Sequence, residues 1–231
     1  MTHELRVLSW NVRDMLGDPL AVHRVLRAAQ ADVACLQEAP RLVANRNQLS
    51  ALARKAGMLY VAGGRAAAGT ALLVRLRVDV HEARAERLPV AGWRTRPRGW
   101  TRAQVGIAGS EPVCVASIHL GLDEAERADH VRQITAELAR TGRPAVVAGD
   151  LNERPGGPSW QGLGHCVADP APGAGPTFPA SRPRSRIDAV LCSPGLDVTG
   201  YGAPDGLDQG DVVLASDHQP VLATVRLPAA S

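Results

Sequence analysis

The sequence predicts an α/β fold, and three observations carry that expectation. Short apolar runs of β-forming residues alternate with segments whose apolar residues recur at helical spacing. A middle stretch, from Met58 to about Val115, changes to β-type runs punctuated by Gly and Pro. Polar residues capable of chemistry stand repeatedly where an apolar run ends, the position from which a rigid scaffold presents side chains. Alternation of this kind defines the class, whereas periodicity alone does not choose among α/β architectures.

Leu5 to Val12 is a short, mostly apolar run and reads as a strand. Val22, Val25, Leu26 and Ala29 then fall on one helical face. Ala31-Asp32 breaks that helix ahead of Val33 to Leu36, a continuous apolar run of the kind buried on both faces of a sheet. A second helix is expected over Asn47 to Ala56. Gly63-Gly64, Pro89, Gly92 and Pro97-Arg98-Gly99 divide the middle stretch into what reads as an antiparallel meander. Val113 to His119 is a further strand. Asp123 to Arg140 has the most regular helical pattern, with Ala128, Val131, Ile134, Thr135 and Leu138 on one stripe before Gly142 and Pro144 end it. Pro144 to Gly149 reads as a strand and Pro155 to Arg184 as a long loop region. Ile187 to Cys192 and Val221 to Leu227 read as closing strands, and no internal repeat of fixed period is present.

A chain of 231 residues supports one sizeable core, so a single domain over residues 1–231 is expected. With 45% apolar and 21% charged residues, wholesale disorder and fibrous structure are excluded. The net charge of +3 is carried by arginine, Lys55 being the only lysine, and mild basicity suits a polyanionic substrate without demanding one. Cys35, Cys114, Cys166 and Cys192 are far apart, which argues against thiolate metal sites and redox pairs. Cys35, Cys114 and Cys192 lie in or at the end of strand-like runs, as small buried thiols do. The start lacks a signal-peptide pattern, and no run approaches the roughly twenty apolar residues that cross a bilayer. The expectation is a cytoplasmic monomer in a reducing compartment, with no membrane segment.

The candidate site residues come from the strand ends. Asn11 follows Leu8 to Trp10, Glu38 follows Val33 to Gln37, His119 ends Val113 to Ile118, and Asp150 and Asn152 follow Ala145 to Gly149. Asp188 sits inside a late strand, and Asp217-His218 precedes Pro220 and the final one. Singly, an Asn or Asp after a strand is usually a turn residue, and a lone His is usually structural. Together they supply carboxylates for a hard divalent cation, an amide to orient a group, and imidazoles that exchange protons near neutrality.

The ordered set Ser9-Trp10-Asn11-Val12, Leu36-Gln37-Glu38, Ser117-Ile118-His119-Leu120, Gly149-Asp150-Leu151-Asn152, Ser185-Arg186-Ile187-Asp188 and Ser216-Asp217-His218-Gln219-Pro220 resembles the endonuclease/exonuclease/phosphatase superfamily. The resemblance spans residues 9 to 220 and implies a four-layer α/β/β/α sandwich, two mixed sheets packed face to face with helices outside. It implies a metal-dependent phosphoesterase with its site at one edge of the sheets.

Hydrolysis of a phosphate ester needs an activated water, neutralised phosphoryl charge and a stabilised leaving oxygen. By resemblance and position, Glu38 is expected to bind Mg²⁺ or Mn²⁺, with Asp217 completing the metal environment. Asp150 is expected to orient or deprotonate water, with Asn152 beside it and Asn11 in the same site. His218 is expected to contact the phosphoryl group, oriented by Asp188, and His119 to donate a hydrogen bond to phosphate or protonate the leaving oxygen. Arg13 resembles the deoxyribonuclease-like branch, where an arginine faces phosphate. Thr177, Phe178 and Arg186 are expected to wall the site, Thr177 and Arg186 as substrate contacts. DNA or RNA is the expected substrate, with Arg94 to Arg102 and Arg182 to Arg186 gripping the backbone and Trp93 or Trp100 stacking on bases. The alternatives are a small-molecule or lipid head-group phosphoesterase and a non-catalytic binding protein of the same fold.

Overall fold

The computed structural model describes residues 3–42, 44–90, 92 and 95–230. The chain opens with β1 (Glu4–Asn11), α1 (Pro19–Ala28) and β2 (Val33–Gln37), a right-sized crossover between neighbouring parallel strands. Asp18 starts α1 by accepting from the Leu20 N–H, and Pro19 occupies the first turn, where its missing N–H leaves nothing unpaired. Next come α2 (Asn45–Lys55), β3 (Leu59–Gly63), β4 (Ala71–Val74), β5 (Val78–Leu88) and β6 (Arg98–Ile107). A second parallel crossover follows: β7 (Val113–His119), α3 (Glu124–Thr141) and β8 (Ala145–Asp150). Asp123 caps α3 through the Glu126 N–H, and Gly142 in the left-handed region ends it. The remaining elements are α4 (Pro158–Leu163), β9 (Asp188–Cys192), β10 (Asp197–Gly202), α5 (Gln209–Ala215) and β11 (Val221–Arg226).

The strands form two mixed sheets, one of six strands in the order β10-β11-β1-β2-β4-β3 and one of five in the order β5-β6-β7-β8-β9. Strand alternation divides the apolar residues into three cores. Leu5 and Val7, Val33 and Cys35, Val113 and Val115, and Val146 and Ala148 fill the space between the sheets. Leu8, Trp10, Ala34 and Leu36 face the other way, against Val22, Val25, Leu49, Leu52 and Val212 of α1, α2 and α5. Trp100, Ala116, Ile118 and Val147 pack against Ile134, Leu138, Trp160 and Leu163 of α3 and α4. The result is the α/β/β/α sandwich.

Several expectations are corrected. The meander from Met58 to Val115 is split between the sheets, since β3 and β4 close the edge of one and β5 to β7 begin the other. The loop region from Pro155 contains the short helix α4, anchored by Trp160 and Leu163, and the last third adds β10 and α5. Ala128 lies on the exposed face of α3, with Arg127 and His130 buried in the stripe instead. Trp100 is a core residue, 1% exposed, and has no face to offer a base. Trp93 and Arg94 lie outside the described residues. Cys35, Cys114 and Cys192 are buried thiols, and burial pushes Cys114 up to about 11 and Cys192 to about 12. Among the described residues no helix is long and apolar enough to cross a membrane.

Candidate active site

The rows of side chains that pack sheet against sheet become polar at one end of the sandwich. Along β1 the inward row runs Leu5, Val7, Ser9, Asn11; along β7 it runs Val113, Val115, Ser117, His119; along β8 it runs Val146, Ala148, Asp150. Register brings the ends together, because Asn11 lies opposite Gln37, His119 opposite Asp150, and Asp150 opposite Asp188 at the start of β9. Below them, Gln37 Nε2 donates to Ser117 Oγ at 3.1 Å and Ser117 Oγ donates to the Leu36 carbonyl at 2.9 Å. These bonds join β2 to β7 and fix the sheets beneath the site.

Asp150, 1% exposed, is the hub. Its Oδ2 accepts from Asn11 Nδ2 at 3.1 Å and stands 3.4 Å from His119 Nε2 and 3.9 Å from His218 Nε2, while Oδ1 accepts from the Asn152 N–H at 2.9 Å. Burial, then the neighbouring Asp188 charge, push its carboxyl up to about 7 against the stabilising effects of His218, the Asn152 N–H and Asn11. Asn152 is held in turn, its Nδ2 donating to the Leu120 carbonyl at 2.9 Å.

His218 Nδ1 lies 3.1 and 3.0 Å from the two Asp188 oxygens. Thr177 Oγ1 donates to Asp188 Oδ2 at 2.6 Å and accepts from the Ile187 and Asp188 N–H groups. The Phe178 ring packs on the imidazole, centroids 4.9 Å apart. Burial alone would lower His218, but the charge and hydrogen bond of Asp188, with Asp150 and Asp217, prevail and raise it to about 9. His119 moves the other way: burial, then the Arg98 charge, hold it well below its ordinary value. Arg98 is itself only 5% exposed and has no ion pair among the described residues. Ser216 ties the last segment to β1, donating to the Asn11 carbonyl at 2.6 Å and accepting from the His218 N–H, while Trp10 Nε1 donates to the His218 carbonyl.

The rim is different in kind. Glu38 stands just past β2 at φ 48°, and Arg13, Asp14 and Met15 past β1 at φ 50°, 51° and 58°. Left-handed backbone costs a residue with a side chain about 1–2 kcal/mol, and its concentration where strands end at a pocket marks positions held for something other than stability. Glu38 Oε1 lies 3.3 Å from Arg96 Nη1; Arg96 also reaches Asp14, which accepts from Arg41 at 3.3 Å. Arg13 Nε is 3.8 Å from Asp217 Oδ2, both side chains well exposed.

Asn11, His119, Asp150, Asn152, Asp188 and His218 are therefore brought into one buried cluster, joined by hydrogen bonds from Asn11 and Asn152 to Asp150 and between His218 and Asp188, and by close charge contacts of both imidazoles with Asp150, with Glu38, Arg13 and Asp217 at the rim. Two expected substrate contacts are corrected. Arg186 is turned away, bound by both oxygens of Asp169 at 2.8 and 2.9 Å and stacked on Trp160 and Tyr201. Thr177 is buried behind Asp188. Ser216 and Trp10 were not singled out as site residues from the sequence, although both stood within recognised motifs; Arg96 and Arg98 were expected only as part of the backbone-gripping stretch Arg94 to Arg102, and nothing local marked Arg98 as buried.

Asp150, Asp188 and His218 bring ligand atoms within 4.8 Å of one another, a spacing compatible with a cation. Chemistry disfavours that use, because Asp188 is occupied by His218 and Thr177 and the imidazole by Asp188. Glu38 and Asp217 are the carboxylates of the rim, partly exposed, and their ion-pair partners are the arginines Arg96 and Arg13.

A search of curated protein sequences finds no match. Solved structures match over almost the whole chain. An endonuclease/exonuclease/phosphatase family protein from Bacteroides thetaiotaomicron aligns with TM-score 0.80 and 21% identity, covering 98% of this chain and 99% of that one. A mannosyl-6-phosphatase from the same organism aligns with TM-score 0.75 and 21% identity, covering 96% and 99%. D. rerio TDP2, complexed with a single-strand DNA product, aligns with TM-score 0.71 and 19% identity, covering 96% and 99%. The model of the Endonuclease/Exonuclease/phosphatase family matches residues 8–218, and the chain belongs to that family of phosphoester hydrolases.

Proposed function

We propose that the protein is a divalent-metal-dependent phosphodiesterase that cleaves nucleic-acid phosphodiester bonds by in-line attack of water. The observation that carries the reading is Asp150: a buried carboxyl raised to about 7, fixed by Asn11 and Asn152 and flanked by two imidazoles of opposite tuning.

Ionised Asp150 accepts the proton of the attacking water, and Asn11 and the Asn152 N–H hold its oxygens in place. His218, kept protonated by Asp188, presents Nε2–H to a phosphoryl oxygen, where charge builds in the transition state. His119, kept neutral, serves as a hydrogen-bond donor to phosphate better than as a source of protons. Arg98 and the rim residue Arg13 add positive charge, Arg13 as a phosphate contact. Glu38 and Asp217 would hold Mg²⁺ or Mn²⁺, which supplies Lewis-acid neutralisation of the phosphate. Arginines at the mouth, Arg13, Arg41 and Arg96, favour a polyanion. A small phosphoester substrate is the second reading, favoured by the fold shared with a mannosyl-6-phosphatase.

The test is hydrolysis by the purified protein, with Mg²⁺ or Mn²⁺, of single- and double-stranded DNA, abasic DNA, RNA and small mono- and diesters. Metal-dependent cleavage of a nucleic acid, abolished by EDTA, is expected; turnover of small monoesters alone would select the second reading.

A further inference from the structure

A trench of arginines leads away from Glu38 along the side of the sandwich where β3 and β5 meet. At its far end a cavity of about 650 Å³ is lined by Arg46 of the first turn of α2, Tyr60 of β3, Arg65 of the turn after β3, and Arg87 of β5. Arg65 and Arg87 also line the next compartment, of about 170 Å³, together with Arg41. Arg41 and Leu42 in turn line the third, of about 570 Å³, which reaches Asp14. Asp14 binds Arg96, and Arg96 reaches Glu38. Shared lining residues thus set three neighbouring recesses in a row between the flank and the arginines at the rim of the site.

Its charge is one-sided. Among the described residues no carboxylate lines the first two compartments, and Asp14 in the third is already engaged by Arg41 and Arg96. Arg46, Arg65 and Arg87 are exposed and form no ion pair among the described residues. Elsewhere Arg24, Arg77, Arg84 and Arg226 pair with Asp211, Asp32, Glu82 and Asp197, whereas Arg27, Arg54, Arg182 and Arg184 form no ion pair among the described residues; what sets Arg46, Arg65 and Arg87 apart is that the three share one recess. Unneutralised guanidinium groups repel one another along a recess unless an anion lies between them. Tyr60 adds an aromatic ring fixed by its hydroxyl, which donates to the Gly63 carbonyl.

We propose that this trench binds a single strand of nucleic acid and delivers it to the site. The inference rests on the phosphodiesterase reading for what happens to the strand, but not for its binding. A recess lined with arginines suits a narrow, regularly charged chain; a lipid surface is broad and meets projecting apolar groups instead. Tyr60, half-buried in the wall of the recess, is placed for the base of an unpaired strand to stack on, a contact that a paired base in a duplex does not offer.

The experiment measures binding of a short 5′-labelled single strand by fluorescence anisotropy in EDTA, across a salt series, alongside Mn²⁺-dependent turnover of bis(p-nitrophenyl) phosphate. Three unpaired arginines predict that log affinity falls against log salt with a slope of about 2, because each phosphate contact on a single strand contributes about 0.7. R65A/R87A should lose about 1.4 of that slope and bind about tenfold or more weakly at low salt, with diester turnover and circular dichroism unchanged. Should the double variant fail to fold, R46A alone should lose about 0.7. Wild-type affinity and slope in both variants would overturn the inference, as would loss of binding only to phosphatidylserine vesicles. Wild-type protein that turns over the diester but ignores the strand would overturn the trench and leave the phosphodiesterase reading standing. Strand binding at the expected slope without any turnover would do the reverse.

Discussion

The two parallel crossovers present their strand ends to the same pocket in contrasting ways. The β7-α3-β8 half contributes His119 and Asp150, both nearly inaccessible, and faces Asp188 and His218, equally buried. The β1-α1-β2 half contributes Asn11 to that cluster but otherwise ends in Glu38, Arg13 and Asp14, partly exposed and tied to arginines that reach in from the surface. In the buried half neighbouring groups split widely in proton affinity: desolvation pushes Asp150 up and His119 down, while at His218 the Asp188 charge and hydrogen bond, with Asp150 and Asp217, outweigh desolvation and push it up. At the open rim charges are screened, and Glu38 and Asp217 remain accessible to an ion from solvent. Under the proposed function, protons are handled in the buried half and a cation is bound at the rim.

The widest separation of the halves should come from D150A against E38Q. Removing a general base costs about 10²–10⁴ in rate, so D150A should lower kcat for bis(p-nitrophenyl) phosphate by about a thousandfold at every metal concentration. E38Q should mainly raise the Mn²⁺ concentration needed for half-maximal rate, and excess metal should restore part of the turnover. A metal titration of both variants checks this; rescue of D150A by metal would exchange the two roles.

Next in size is D188N, which acts through neighbours rather than on substrate. In the wild type, kcat/KM should rise as pH passes about 7, where Asp150 loses its proton, and fall as it passes about 9, where His218 loses its own. These limbs belong to the coupled cluster as a whole. The Asp188 charge raises both groups, so its removal should shift both limbs to lower pH, with a fall in maximal rate of about 10²-fold from the mis-set imidazole. A merely structural role would lower the rate and leave the limbs where they were.

Much of this contrast was legible in the sequence, for a physical reason. Buried rows have a period of two, so Val7-Ser9-Asn11 and Val146-Ala148-Asp150 announce both the inward face and the point where it turns polar. The helical period of about 3.6 placed α1 through Val22, Val25 and Leu26 in the same way. What stayed illegible depends on tertiary neighbours. Nothing local separates Arg186, held by the distant Asp169, from an arginine free to meet substrate. Trp100 resembles a stacking residue until α3 covers it. The short helices α4 and α5 lie in Pro- and Gly-rich sequence and rest on a few contacts rather than on a repeated pattern.

The smallest effect belongs to Arg96, and it tests the open rim most directly. Arg96 is about half exposed and bonds Asp14 as well as Glu38, so its attraction for the Glu38 carboxylate is that of a screened surface pair, about 0.2–1 kcal/mol. A cation binding Glu38 must displace or share that guanidinium. R96A should therefore strengthen metal binding by about 1.4-fold to fivefold, seen as a lower Mn²⁺ requirement in low salt. The gain should shrink as salt rises past the point where the Debye length is about 8 Å, near 0.15 M. Both limbs of the pH profile should stay in place, because Arg96 is no more than a minor influence on the buried groups. A large fall in kcat for R96A would instead make Arg96 part of the reacting centre, and the boundary between the open rim and the buried half would have to move to include it.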